Sequence, residues 1–177
     1  MFHKDEDYAA FERILGEARE MNQVELFAYQ LMPNHYHLVI RPLVDGEMSR
    51  FKGWVGTHTM RYHAHYHTGG TRHVYQQRYK SFPIQDDNHF HVVCRYVERN
   101  ALRAGLVESA EQWRSLRRWR NRKDSEPRLL SRWPLARPPK WVTRVNQALS
   151  EKEIEAVRRS AQRGAPLGDE GWVESIA

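Results

Sequence analysis

The stretch VELFAYQLM-PN-HYHLVIRP, residues 24–42, constrains the fold most. Two runs rich in β-branched, aromatic and other apolar residues flank Pro33-Asn34, a pair suited to a turn. The pattern predicts a β-hairpin with strands over 24–32 and 35–42, the second ended by Pro42. Alternate strand residues share a face. His35 and His37 therefore project side by side, while Tyr36, Leu38 and Ile40 turn to the opposite face, where a helix can cover them. Two adjacent imidazoles are a start for a divalent-metal site. Two half-exposed surface histidines are the alternative that so short a pattern leaves open.

Helical spacing surrounds the hairpin. Phe11, Ile14, Leu15 and Ala18 predict a helix over 7–21, with Asp5 or Asp7 as its cap. A second helix runs from about Ser49 through Phe51, Trp54, Val55 and His58 to about His65, with Gly69-Gly70 to end it. The stretch HVYQQRYKSFPI reads as a loop and short strand. Asp86-Asp87 can cap a third helix, NHFHVVCRYVERNALRA, with Phe90, Val93, Cys94, Val97 and Ala101 as its apolar stripe. Gly105 stands where a helix C′ glycine belongs. Helices around an antiparallel pair give an α/β (α+β) chain.

Tyr96 and Asn100 lie one turn apart on the shoulder of that stripe. A helix packed on the sheet could aim them at a site there. Taken alone, Tyr96 reads as a packing tyrosine, one of 8 in the chain. A rival imidazole cluster is HAHYH, with His63, His65 and His67. Helical residues two apart point about 200° away from each other, so His63 and His65 chelate poorly. His63 and His67 could bind a metal, but no carboxylate or cysteine is spaced to complete that site, and solvated or DNA-facing histidines are the expectation.

Charge is unevenly placed. The chain carries a formal +6. Residues 113–144 alone hold eleven Lys or Arg against Asp124 and Glu126, interleaved with Trp113, Trp119, Trp133 and Trp141. Cations among aromatics suit a nucleic-acid backbone with unstacked bases; a solvated basic tail with packing tryptophans is the alternative. Pro127, Pro134, Pro138 and Pro139 mark an irregular stretch. Ser150 and Glu153 then form a capping box for a short helix through Ile154 and Val157 that stops at Gly164. One cysteine, Cys94, excludes an internal disulfide framework and a Cys-rich zinc site. The N-terminus has no signal-peptide pattern, and no apolar run approaches the ~20 residues of a membrane span. A cytoplasmic, nucleoid-associated protein without a membrane partner is expected.

Three blocks, LMPNHYHLVI, QQRYKSF and CRYVERNALRAGLV, in this order and spacing, resemble the REP-associated tyrosine transposases. These are single-tyrosine HUH proteins with the transposase IS200-like domain. The resemblance covers roughly residues 2–118, with a weaker echo through VNQALSEKEIEAVRRSAQRGAPLGDEGWV. It implies an antiparallel sheet sandwiched by helices, HUH endonuclease-like in its ferredoxin/RRM-like fold, over residues 1–118. Residues 119–177 form a basic C-terminal extension. The resemblance also implies that His35 and His37 are the paired metal ligands, that Tyr96 is the nucleophile and that Asn100 completes the metal site. Mg²⁺ is the ion it implies, and the imidazoles suit Mn²⁺ at least as well. The activity implied is cleavage of single-stranded DNA beside a hairpin, by a monomer or homodimer, with the enzyme joined to the 5′ end. Arg78, Lys80, Arg95, Arg99 and Arg103 are candidate DNA contacts near this site, and Arg114, Arg117, Arg118 and Arg120 begin the basic segment.

This chain departs from the family's pattern twice. Ala101 follows Asn100 where proline is usual, and a strand usually precedes the first helix, whereas here the helix begins almost at once. The sheet is therefore expected to lack a strand and to expose an edge. Two other readings are a hairpin-binding protein that has lost catalysis and a replication or conjugation nickase with the same chemistry.

Overall fold

The computed structural model describes residues 2–66, 79–121 and 128–176. These form two compact units, one of residues 2–66 with 128–131 and the other of residues 79–121 with 132–176. The units are drawn differently from the 1–118 and 119–177 division of the sequence.

The first unit holds helix α1 (Asp5–Met21), strands β1 (Val24–Met32) and β2 (His35–Pro42), and helix α2 (Glu47–Tyr66). Both strands occupy the expected residues and pair antiparallel, from Val24 opposite Pro42 to Met32 opposite His35. The register slips between Leu26 and Ala28, which leaves Phe27 as an extra residue. Such a bulge changes which side chains share a face. Here it lets Val24, Leu26, Tyr29 and Leu31 all join the core, which strict alternation forbids.

That core is completed by Phe11, Ile14, Leu15 and Ala18 of α1 and by Phe51 and Val55 of α2. Tyr36, Leu38 and Ile40 pack against it as the alternation of β2 requires. Both helices thus cover the face opposite His35 and His37. Among the described residues the sheet has two strands, and α1 and α2 lie on one face rather than sandwiching it. The edge of β1 away from β2 is not bare. At Leu26 it meets Ser131, whose N–H donates to the Leu26 carbonyl at 2.7 Å and whose Oγ accepts the Leu26 N–H at 3.1 Å.

Two carboxylates are buried beside this core. Tyr29 donates to Glu12 at 2.9 Å and Tyr62 to Asp7 at 3.0 Å. Burial and the Asp7 carboxylate push the Tyr62 hydroxyl up to about 12. The cap of α1 differs from expectation. Lys4 is the N-cap, and Asp7 sits three residues in, accepting the N–H groups of His3 at 2.8 Å and Lys4 at 3.2 Å. An anion there also suits the positive end of the helix.

The second unit is built on α3 (Asn88–Glu98), continued by the short α4 (Asn100–Arg103). Asp87 caps α3 by accepting the His89 N–H at 2.7 Å. Phe90, Val93, Cys94, Val97 and Ala101 are all buried, as their spacing predicts. The single expected helix is interrupted at Arg99, whose φ of −82° and ψ of −7° depart from regular helix geometry. Gly105 takes the left-handed φ of +70° and donates to the Leu102 carbonyl at 3.0 Å.

After a short 3₁₀ turn (Ala110–Gln112) come α5 (Arg114–Asn121), α6 (Trp141–Asn146), α7 (Glu151–Arg163) and α8 (Glu170–Ser175). Ser150 and Glu153 form the expected capping box of α7, and Gly164 ends it at φ +70°. Trp133, Trp141, Val145, Leu149 and Val157 are buried in this unit. Trp133 meets Phe90 edge-on at 5.1 Å and Trp141 edge-on at 5.0 Å. These two tryptophans are core residues, not base-stacking surfaces. Farther along, Leu167 pairs with Ile84 in a parallel bridge.

Candidate active site

The hairpin turn delivers the imidazole pair. The His35 and His37 rings lie edge to face with centroids 4.9 Å apart. His35 is exposed and His37 half-buried. Asn34 accepts a hydrogen bond from His35 Nδ1 at 2.7 Å, which makes Nε2 the lone-pair nitrogen of the neutral ring. A fixed tautomer of this kind is what a metal-binding histidine needs. The pair thus fits two nitrogen ligands of a divalent cation. No group of three or more His, Cys, Asp or Glu able to hold a metal occurs among the described residues, so further ligands would have to be amides, phosphate oxygens or water. In the rival cluster, His63 is half-buried and His65 exposed near the end of α2, and His67 lies outside the described residues.

In the second unit, Tyr96, Asn100 and Arg103 form one cluster across the α3–α4 interruption. Tyr96 is half-buried and Asn100 is 3% exposed. Arg103 donates from Nη2 to Asn100 Oδ1 at 2.6 Å, and its guanidinium carbon stands 4.7 Å from the centroid of the Tyr96 ring. Asn100 Nδ2 is buried without a hydrogen-bond partner among the described residues. A buried, unsatisfied amide is costly unless it serves a purpose. The amide oxygen keeps a second lone pair beside the Arg103 bond, so Asn100 fits an oxygen ligand.

The other candidates separate. Arg95 donates to the carbonyls of Arg144 at 3.2 Å and of Gln147 and Ala148 at 3.4 Å, and lies 3.7 Å from Glu153. Arg99 donates to the carbonyls of Val145 at 3.1 Å and of Asn146. Cations on the last carbonyls of a helix satisfy groups with no partner inside it. Arg95 and Arg99 therefore hold α6 and the start of α7 onto α3. Lys80 is exposed, and Arg78 lies outside the described residues. On α5, Arg114 is half-buried while Arg117, Arg118 and Arg120 are exposed, the last 3.8 Å from Glu111. Arg137 stacks 3.8 Å from the Trp133 centroid and 4.1 Å from that of Trp119, and stands 3.9 Å from the buried Glu98. Burial pushes the Cys94 thiol well up, so it is not a thiolate nucleophile.

Sequence reasoning gave Arg103 to DNA and missed its stacking on Tyr96 and its hydrogen bond to Asn100. The signal was its spacing, seven residues after Tyr96 and three after Asn100, on one helix face.

The chain thus carries a paired-imidazole hairpin in its first unit and a phenol–amide–guanidinium cluster in its second. The family described as Transposase IS200 like matches residues 1–100, a span that includes His35, His37, Tyr96 and Asn100, and the chain belongs to that family. It is accordingly a DNA-binding, DNA-processing protein of the transposase class. No curated protein and no solved structure matches it. No described helix is long and apolar enough to cross a membrane.

Proposed function

We propose that this chain is a metal-dependent, single-tyrosine strand transferase of the HUH, REP-associated kind, acting on single-stranded DNA beside a hairpin. The observation that carries the reading is the His35–His37 pair, held on one strand face with its rings 4.9 Å apart and away from the helix-covered core. His35, His37 and Asn100 would hold Mg²⁺ or Mn²⁺. Such an ion, when bound, offsets charge on a phosphate oxygen.

Tyr96 is the nucleophile in this reading. Its Oη loses a proton and bonds to phosphorus, the bond to the 3′-oxygen breaks, and that oxygen leaves as a 3′-hydroxyl once protonated. The product is a 5′-phosphotyrosine. It remains a phosphodiester, so another 3′-hydroxyl can reverse the step on a new strand without ATP. Arg117, Arg118 and Arg120 on α5 hold backbone phosphates.

The test is a cleavage assay on hairpin-containing single-stranded DNA with Mn²⁺ or Mg²⁺. Wild type should form an adduct that survives denaturing electrophoresis. Tyr96→Phe should bind the hairpin and form none, and His37→Ala should lose both cleavage and the Mn²⁺-induced rise in melting temperature. Binding by wild type without any adduct would make it a hairpin-binding protein instead.

A further inference from the structure

Arg103 is one of several arginines near the proposed nucleophile, and charge alone would assign it to a DNA phosphate. Its contacts are different from those of a phosphate clamp. One is to Asn100 in its own short helix and the other crosses the interruption to Tyr96 on α3. We propose that Arg103 is a positioning residue, which sets the plane of the Tyr96 ring and the orientation of the Asn100 amide together. The proposal rests on the reading of Tyr96 as nucleophile.

The interruption at Arg99 gives the device its purpose. Tyr96 lies in the last turn of α3, which ends at Glu98, and Asn100 opens α4, so no continuous helix fixes one against the other. Arg103 bridges the two segments. Its guanidinium is planar and delocalised, so it can lie against a ring and still direct an N–H at an amide oxygen. The phenolic oxygen lies in the plane of its ring. Holding that plane therefore fixes the direction from which Oη approaches phosphorus. The other end of the bridge is anchored, because Asn100 is 3% exposed. Its bond to Arg103 also decides the amide's orientation. With Oδ1 facing the guanidinium, Nδ2 cannot take that place without setting donor against donor.

A lysine in this position keeps the charge but not the flat stack or the forked donors. That difference separates positioning from simple electrostatics. It also separates both from DNA contact, since loss of a phosphate contact on a single strand lowers the slope of log K against log salt by about 0.7.

The experiment compares wild type, Arg103→Gln, Arg103→Lys, Arg103→Ala and Tyr96→Phe on hairpin DNA. The measurements are adduct rate at saturating protein, hairpin affinity across a salt series, and melting temperature. Arg103→Gln and Arg103→Lys should each slow adduct formation by about 10- to 100-fold, the scale of a misaligned nucleophile. Affinity should stay within about twofold and the salt slope unchanged, as expected when no phosphate contact is lost. Added guanidinium ion at low, non-denaturing concentration should partly restore the rate of Arg103→Ala, which a merely structural residue would not show. A normal rate in Arg103→Gln overturns the proposal. So does a slope lowered by the amount of one contact, which returns Arg103 to the phosphate backbone. An adduct formed by Tyr96→Phe overturns the reading of the nucleophile itself, independently of Arg103.

Discussion

Glu98 lies on the buried side of α3, two residues after Tyr96, with Trp141 Nε1 donating to its Oε2 and Arg137 3.9 Å away. Burial pushes its carboxyl up to about 7 from an ordinary 4.5, and the Arg137 charge and the Trp141 bond only partly oppose the shift. A carboxyl raised in the folded state keeps its proton after the unfolded chain has released it. The contribution of Glu98 to stability is therefore complete below pH 4.5 and is lost as pH rises to about 7. The loss is on the order of 3 kcal/mol. Cys94 and Arg137 are the other ionisable groups acting on this carboxyl. Glu98→Gln keeps the shape and removes the titration. Urea unfolding followed by tryptophan fluorescence should show the variant gaining on wild type from pH 5 to pH 8. A constant difference between the two across that range would mean that the carboxyl ionises normally in the fold. At the same scale, Phe51 is fully buried in the first unit, and Phe51→Ala should cost about 3–5 kcal/mol in the same measurement, at every pH.

The elements after residue 131 are not an appendage. Trp133, Trp141, Val145, Leu149 and Val157 are buried in the unit that α3 founds, and Arg95 and Arg99 bind the carbonyl ends of α6. Truncation after Leu116 is therefore expected to abolish the cooperative unfolding transition of that unit, not merely to weaken DNA binding. A truncated chain that melts like wild type would contradict this. The salt-dependent part of binding is better tested on α5. Replacing Arg117, Arg118 and Arg120 with alanine should leave melting unchanged and reduce the log–log slope by about 2. The hairpin was legible in the sequence to the residue, because a period of two around Pro33-Asn34 admits little else. The shared face of His35 and His37 followed from the same period. The α3–α4 interruption was not legible, since NALRA continues a helical pattern and nothing local marks a break at Arg99. The roles of Arg95, Arg99 and Arg137 were hidden for a related reason. Their partners lie about 40 to 50 positions away in sequence, and an arginine beside tryptophans reads alike whether the tryptophans face bases or Phe90. The contacts of Arg103 with Tyr96 and Asn100 were open to a reading of its spacing, seven and three residues on, whereas charge alone points only to DNA.

Across the whole chain, the buried charged residues among those described are carboxylates. Among the described residues Asp7, Glu12, Glu47 and Glu98 are buried, and no lysine or arginine is. Four carboxylates are thus drawn away from solvent, and with Glu98 raised to about 7 one is only half ionised at neutral pH. Lys80, Arg117, Arg118 and Arg120 are exposed where a polyanion can reach them, and they set a positive local field on a chain of formal charge +6. Such a field binds any nucleic-acid strand by releasing its counterions. The chain is therefore expected to bind single-stranded DNA of unrelated sequence at low salt. With about 4 to 6 phosphates engaged, the slope of log K against log salt should be about −3 to −4. Hairpin DNA should share this slope and lie above it by a salt-independent offset, because the hairpin adds fit and not more charge. Adduct formation at saturating protein should not vary between 50 and 200 mM salt, roughly the range in which affinity falls most, since in the proposed reaction it depends on Tyr96 and its neighbours and not on capture. Fluorescence anisotropy on labelled strands gives the slopes, and denaturing electrophoresis gives the adduct rate. A flat salt response for the unrelated strand would show that the exposed charge does not serve DNA. A steeper slope for the hairpin would show that its recognition, too, is made of phosphate contacts.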